Sequence, residues 1–231
     1  MSVSLTTAQM VTMVRDHVGE DSTTATQVTD AQILKFLNKR LTTICVDSEF
    51  LPSTFTTSTV ASQQLYNVPP EYVSVQAIQI YRTTGDQQQE WLTKCDIDDL
   101  DPTFSEGTPF RWANWGANLS GDNSPVFCLD PIPDASGTND LIVHCYQMPK
   151  ELVSGGQGPE VRARWQYACI EGATADVFLR LASGDGTLLA MVDRFEAKWQ
   201  ESKKAAQEWA MLDLYTPRPA KDTMGYTRRY R

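Results

Sequence analysis

Only two histidines, His17 and His144, occur in 231 residues. That scarcity leaves few ways to assemble a Ser/His/Asp or Cys/His site or an imidazole-rich metal centre. His144 stands beside Cys145, but adjacent residues on a strand point to opposite faces, which argues against a nucleophile and its base. No GxSxG, HExxH, P-loop or strand-to-helix GxGxxG is present. The five cysteines (Cys45, Cys95, Cys128, Cys145, Cys169) are scattered and form no CxxC or zinc-finger spacing. They read as reduced, mostly buried thiols. No apolar run approaches the roughly 18–20 residues of a membrane span. The opening MSVSLTTAQM has neither a basic n-region nor an apolar h-region, so no signal peptide is expected. The expectation is a protein with no enzyme activity, no cofactor, no bound metal and no membrane association.

Positive charge is also in short supply. Twenty Lys and Arg face 29 Asp and Glu, a net of −9. An acidic body repels phosphates and does not suit wrapping nucleic acid, but it suits a passage through which DNA must slide. The exception is the end of the chain. Residues 216–231 hold five bases (Arg218, Lys221, Arg228, Arg229, Arg231) against Asp222, a net of +4, so residues 1–215 sum to −13. This segment has too little apolar content for a core and ends in aromatic–basic alternation at Tyr226, Arg228, Arg229, Tyr230 and Arg231. It reads as a disordered end or as an arm that folds onto a partner.

What is present in quantity is apolar material at helical and strand spacing. Hydrophobic residues make up 41% of the chain, with six Trp, enough for a real core. Residues 5–18 predict a helix with Thr6 and Gln9 as a capping box, Leu5 and Met10 as a staple, and Gly19 as its stop. Thr29 and Gln32, flanked by Val28 and Ile33, repeat the device before the stripe Ile33, Leu34, Leu37, Leu41 and Ile44. Pro52 and the Ser/Thr cluster 53–59 close this helical region. Strands are predicted around 73–80, 90–92, 125–129 and 140–148. The apolar phase flips between Ala77 and Ile78, which suggests a bulge. Residues 83–86 read as a turn and 107–124 as a Gly/Asn/Trp-rich loop.

Helical signals resume at Gly158-Pro159 and run to 183, with Val161, Trp165, Ala168, Gly172, Ala175 and Leu179 on one face. Glycine at 172 implies close approach of another helix, since it costs about 1 kcal/mol against alanine in a helix interior. Asp185 caps a last helix over 187–213, whose charged middle either projects from the core or forms its solvated face. The expected fold is α+β. Residues 1–53 and 155–213 form a helical bundle, 54–154 a small antiparallel β domain inserted in it, and 214–231 an extended docking arm.

Two surface features bear on function. The run from Asp96 to Asp101 is rich in carboxylates, but EF-hand positions six and twelve would be Asp101 and Gly107, so a short capped acidic helix is the better reading. Trp112 and Trp115 are candidate interface aromatics or a sugar platform; anchoring of a long loop against the sheet is the simpler account.

The order of the pieces resembles the head-to-tail adaptor (connector) proteins of tailed bacteriophages, including the podophage adaptors called tail tubular protein A. The residues that carry it are DAQILKFLNKRLTTIC (Asp30 to Cys45), QLYNVPPEYVSVQAIQIYR (Gln64 to Arg82) and WLTKCDIDDLDP (Trp91 to Pro102). GTPFRW (Gly107 to Trp112), YQMPKEL (Tyr146 to Leu152) and WQYACIEGATADVFL (Trp165 to Leu179) complete them. The resemblance implies a structural virion protein at the head–tail junction, made in the host cytoplasm. It implies a homo-oligomeric ring, commonly twelve-fold, beneath the portal protein, with a downstream tail, nozzle or stopper protein on its other side. DNA would pass through the lumen without sequence-specific binding. Portal docking would fall to the arm, through Arg218, Lys221, Tyr226, Arg228, Arg229, Tyr230 and Arg231. The alternative function is a carbohydrate- or host-recognition module on a helical scaffold, motivated by Trp112 and Trp115.

Overall fold

A computed structural model describes residues 4–19, 27–49, 51–81, 89–100, 105–117, 124–183 and 185–215, with side chains through 210 except Ala117. It is α+β and divides into two compact units. One comprises the described residues of Met1–Ser48 and Glu151–Arg231; the other is Glu49–Lys150.

The described residues of the first unit form four helices: α1 (Thr7–Val18), α2 (Asp30–Ser48), α3 (Ala163–Leu181) and α4 (Gly186–Tyr215). Both predicted capping boxes are formed. At α1 the Thr6 hydroxyl accepts from the Gln9 amide and Gln9 Oε1 accepts from the Thr6 amide at 2.8 Å. At α2 the Thr29 amide donates to Gln32 Oε1 at 3.0 Å while the Gln32 amide donates to Thr29 Oγ1 at 3.3 Å. Gly19 ends α1 in the left-handed conformation. The buried Arg15 then joins the two helices, donating from Nε to Asp30 Oδ1 at 2.9 Å and from its terminal nitrogen to the Val28 carbonyl.

Helix α3 is the axis of this unit, packing on α1, α2 and α4, and it is buried nearly all round from Ala163 to Phe178. That explains its weak amphipathicity: a helix with neighbours on most sides needs apolar or small residues on most sides. Leu179, expected on the inner face, is exposed instead. The helix also begins four residues later than the sequence suggests. Gln166, fully buried, donates from Nε2 to the carbonyls of Pro159 and Val161, which holds 159–161 outside the helix.

The described residues of the second unit form ten short strands: β1 (Pro52–Thr57), β2 (Leu65–Asn67), β3 (Tyr72–Tyr81), β4 (Gln89–Trp91), β5 (Thr93–Lys94), β6 (Glu106–Gly107), β7 (Arg111–Ala117), β8 (Pro125–Asp130), β9 (Ile132–Pro133) and β10 (Leu141–Gln147). One four-stranded sheet, in order β1-β10-β3-β4, is antiparallel throughout. A second has the order β2-β8-β7-β5 and takes β5 on parallel to β7; β6 and β9 form a small parallel pair. The core contains Ile78, Ile80, Leu141 and Val143 from the first sheet with Tyr66, Trp112, Phe127 and Leu129 from the second. Burying such a set stabilises the unit by about 1.5–3 kcal/mol per large side chain.

The phase flip in β3 has a structural cause. His144 pairs with Ala77 and Cys145 with Val75, so Gln76 is an extra residue, and Val75 and Ile78 both point into the core. Two sequence expectations change here. The Pro52-led stretch is an edge strand, β1, paired with β10. The 107–124 loop contains strand β7, whose Asn and Gly content hid it: Asn114 pairs with Phe127 and Gly116 with Val126, leaving Trp115 as a bulged residue. The carboxylate run becomes a single 3₁₀ turn at Ile97–Asp99. The turn expected at 83–86 lies outside the described residues.

Candidate functional site

The predicted partner-binding residues Arg218, Lys221, Tyr226, Arg228, Arg229, Tyr230 and Arg231 lie outside the described residues. What the structure gives is their point of departure. Helix α4 stays on the bundle: Phe195, Trp199 and Ala206 are buried, and the Arg162 guanidinium lies 4.2 Å from the Trp209 ring centroid. Its charged middle is partly tied to other helices, with Glu196 bound to Arg40, Lys203 to Asp47 and Lys198 to Glu171 at 3.8 Å. The choice between a projecting helix and a solvated face therefore falls to the second, at least to Trp209.

The two tryptophans separate. Trp112 is fully buried in the β core, under the Lys94 ammonium at 5.1 Å from its ring centroid. Trp115, pushed out by the bulge, is 42% exposed. One ring in the core and one on the surface do not make a paired sugar platform.

Groups that might carry chemistry are held apart or masked by burial. Cys145 points into the β unit, and burial pushes its thiol up to about 12. His144 faces the other way, 3.3 Å from Gln79 Oε1 and 5.0 Å ring to ring from Trp91. Burial pushes the Cys45 thiol to about 12 as well, and raises Cys169 and Cys128. All five cysteines are free thiols. Asp96, Asp98 and Asp99 are exposed, and no group of three or more His, Cys, Asp or Glu among the described residues could hold a metal ion.

Sequence reasoning missed the charged junction of three helices. Arg40 of α2 donates from Nε to Asp176 Oδ2 of α3 at 2.8 Å and from a terminal nitrogen to Glu196 Oε2 of α4 at 2.8 Å. Its guanidinium also lies 5.2 Å from the Trp199 ring centroid. Burial works against the Arg40 charge, but the two carboxylates outweigh it and raise its pKa. Burial likewise disfavours the Glu196 carboxylate, but the hydrogen bonds from Arg40 and Gln200 together with the Arg40 charge outweigh it, leaving Glu196 below its ordinary value. A Cβ on Gly172 would sit 2.8 Å from Arg40 Cδ and 3.0 Å from Trp199 Cδ2, which is the close approach expected there. The glycine was the only signal of this junction in the sequence.

Charge divides along the boundary between the units. Within Glu49–Lys150 there are thirteen acids and four bases, net −9, the net charge of the whole chain. The remaining residues balance at sixteen of each sign, the basic segment 216–231 included.

The comparisons follow this geometry. No curated protein matches the chain. Among solved structures, one chain of the neck of an empty GTA particle, computed with C6 symmetry, aligns at 14% identity over 84% of this chain and 92% of that chain. Its TM-score is 0.30, too low to argue from. The family model described as SU10 adaptor protein matches residues 5–220, which takes in all four helices and the whole β-rich unit. By that match the chain belongs to the SU10 adaptor protein family, a family of phage head-to-tail adaptors.

Proposed function

We propose that this chain is a structural subunit of the virion neck that forms a ring against the portal protein, commonly twelve-fold, and extends the DNA channel. Its other side receives the next tail, nozzle or stopper component. The role is structural, not catalytic, and the subunit is made in the host cytoplasm before it joins the particle. The observation that carries this reading is the family match over both units.

The arm follows directly from α4, a helix packed on the bundle to Trp209. It carries +4 beyond a body of −13. Arg218, Lys221, Arg228, Arg229 and Arg231 would meet carboxylates or backbone carbonyls on the portal, with Tyr226 and Tyr230 packed between them. A net-acidic subunit keeps DNA from sticking to the wall of the channel. The reading of a host-recognition module is weaker, because Trp112 is a core residue.

Deleting 216–231 tests the docking role. The truncated chain is expected to keep its helical circular dichroism and thermal midpoint and to lose cosedimentation with portal rings. Full retention of portal binding by the truncated chain would remove the arm from this function.

A further inference from the structure

Strand β1 has little to guard its outer edge. It lies at one end of the β1-β10-β3-β4 sheet, and among the described residues no strand pairs with its other side. Two bonds fix which backbone groups face outward: the Gln147 amide donates to the Leu51 carbonyl, and the Tyr81 amide to the Asp140 carbonyl. By ladder alternation Leu51, Ser53, Phe55 and Thr57 turn their polar groups toward β10, while Pro52, Thr54 and Thr56 turn theirs away. Pro52 has no N–H to leave open, but Thr54 and Thr56 each present a donor and an acceptor. Both threonines are exposed. Edge strands are ordinarily blunted by charge, proline, bulges or shortness. β1 has six residues, pairs with β10 without a bulge, and has no charged side chain and no proline after Pro52.

We infer that this edge takes the terminal segment of this protein, residues 226–231, as an added strand while no portal is at hand. The edge itself calls for an extended backbone, because N–H and C=O groups at strand spacing are matched by another strand. Charge selects which one. The unit that holds β1 carries −9, and the segment 216–231 carries +4. The β1 edge of a second copy would bring another −9 with it, whereas the segment brings the opposite sign. The segment also has the right form. Pro217, Pro219 and Gly225, which interrupt strands, all precede Tyr226, and the six residues YTRRYR match β1 in length, with strand-favouring Tyr and Thr and no Pro or Gly. This seat goes beyond the portal role of the same residues, since it concerns the subunit before it docks.

The test is hydrogen exchange, read by mass spectrometry, on the full chain and on the chain lacking 216–231, both without portal. Truncation is expected to unprotect the Thr54 and Thr56 amides in the peptide spanning 52–57, and a synthetic 216–231 peptide is expected to protect them again. Thr54→Pro removes one outward N–H at the phase that Pro52 already occupies. It is expected to speed exchange of 226–231 about tenfold, while Thr54→Val, which keeps the N–H, leaves it unchanged. p-Benzoylphenylalanine at position 56 is a second measurement, expected to capture residues 216–231. Exchange over 52–57 that is the same with and without the segment overturns the inference, and so does capture only of a second β1 or of any other segment. Truncation that abolishes portal binding while 52–57 stays unchanged overturns this inference and leaves the portal reading. Truncation that unprotects 52–57 while portal binding is kept supports this inference and removes the portal reading.

Discussion

At Gly172 two residue-scale effects compete. Alanine in an ordinary helix interior is better than glycine by about 1 kcal/mol. Here its methyl would be driven into Arg40 and Trp199 at 2.8 and 3.0 Å. Overpacking of a filled site costs about 1–3 kcal/mol, so Gly172→Ala is expected to destabilise, against the helix-propensity trend. A thermal melt checks the sign. The partner of that glycine, Arg40, sets a pH dependence. Glu196 has its pKa held below the ordinary value of 4.5 by Arg40, so its stabilising effect is present above that pH. It is lost as pH falls through the depressed value, because the unfolded chain takes up the proton first. The stability gap between the parent chain and Glu196→Gln is therefore expected to be full at pH 7 and to close toward pH 3, in urea titrations run at each pH.

Elements here are held by side chains that reach back to the backbone. Gln166 of α3 accepts the Leu5 amide at 2.7 Å and donates to Ser4 Oγ, Pro159 O and Val161 O. One buried amide thus ties the start of α1 to the segment before α3. Gly158 belongs to the same clasp, since a Cβ there would overlap the Leu5 carbonyl oxygen. Gln166→Leu leaves the Leu5 amide and two carbonyls without this partner, at about 1–3 kcal/mol for each group left buried and unpaired. The expected readout is faster hydrogen exchange in α1, measured by mass spectrometry, before any change in the β-rich unit. These elements were unequally legible. The capping boxes of α1 and α2 were readable because their partners are three residues apart. The start of α3 was not, because Gln166, not Pro159, decides it. Strand β7 was missed because its bulge puts Trp115 and Gly116 where alternation breaks.

At the scale of the whole molecule the question is where charge sits relative to structure. A −9 β-rich unit, a helical unit of −4 up to residue 215 and a +4 terminal segment give the chain regions of different charge for different neighbours. If docking rests on the arm, reversing Arg228, Arg229 and Arg231 to Glu is expected to abolish portal binding while the melting temperature stays unchanged. Binding of the parent should weaken as salt rises from 50 to 500 mM, since exposed ion pairs are screened within about 10 Å at 0.1 M. A pull-down across that salt series reads both effects.

The sequence by itself determined the α+β class, the helix starts at Thr6 and Thr29, the bulge in β3 and the close approach at Gly172. Each depends on residues near one another along the chain, through hydrogen bonds of three-residue reach, strand alternation or the missing side chain of one glycine. The tertiary structure alone decided that Arg40, Asp176 and Glu196 meet, that Trp112 is core while Trp115 is surface, and that Thr54 and Thr56 stand on a sheet edge. Those pairings join positions up to 156 residues apart. Register and packing between distant elements create them, and no local pattern encodes either.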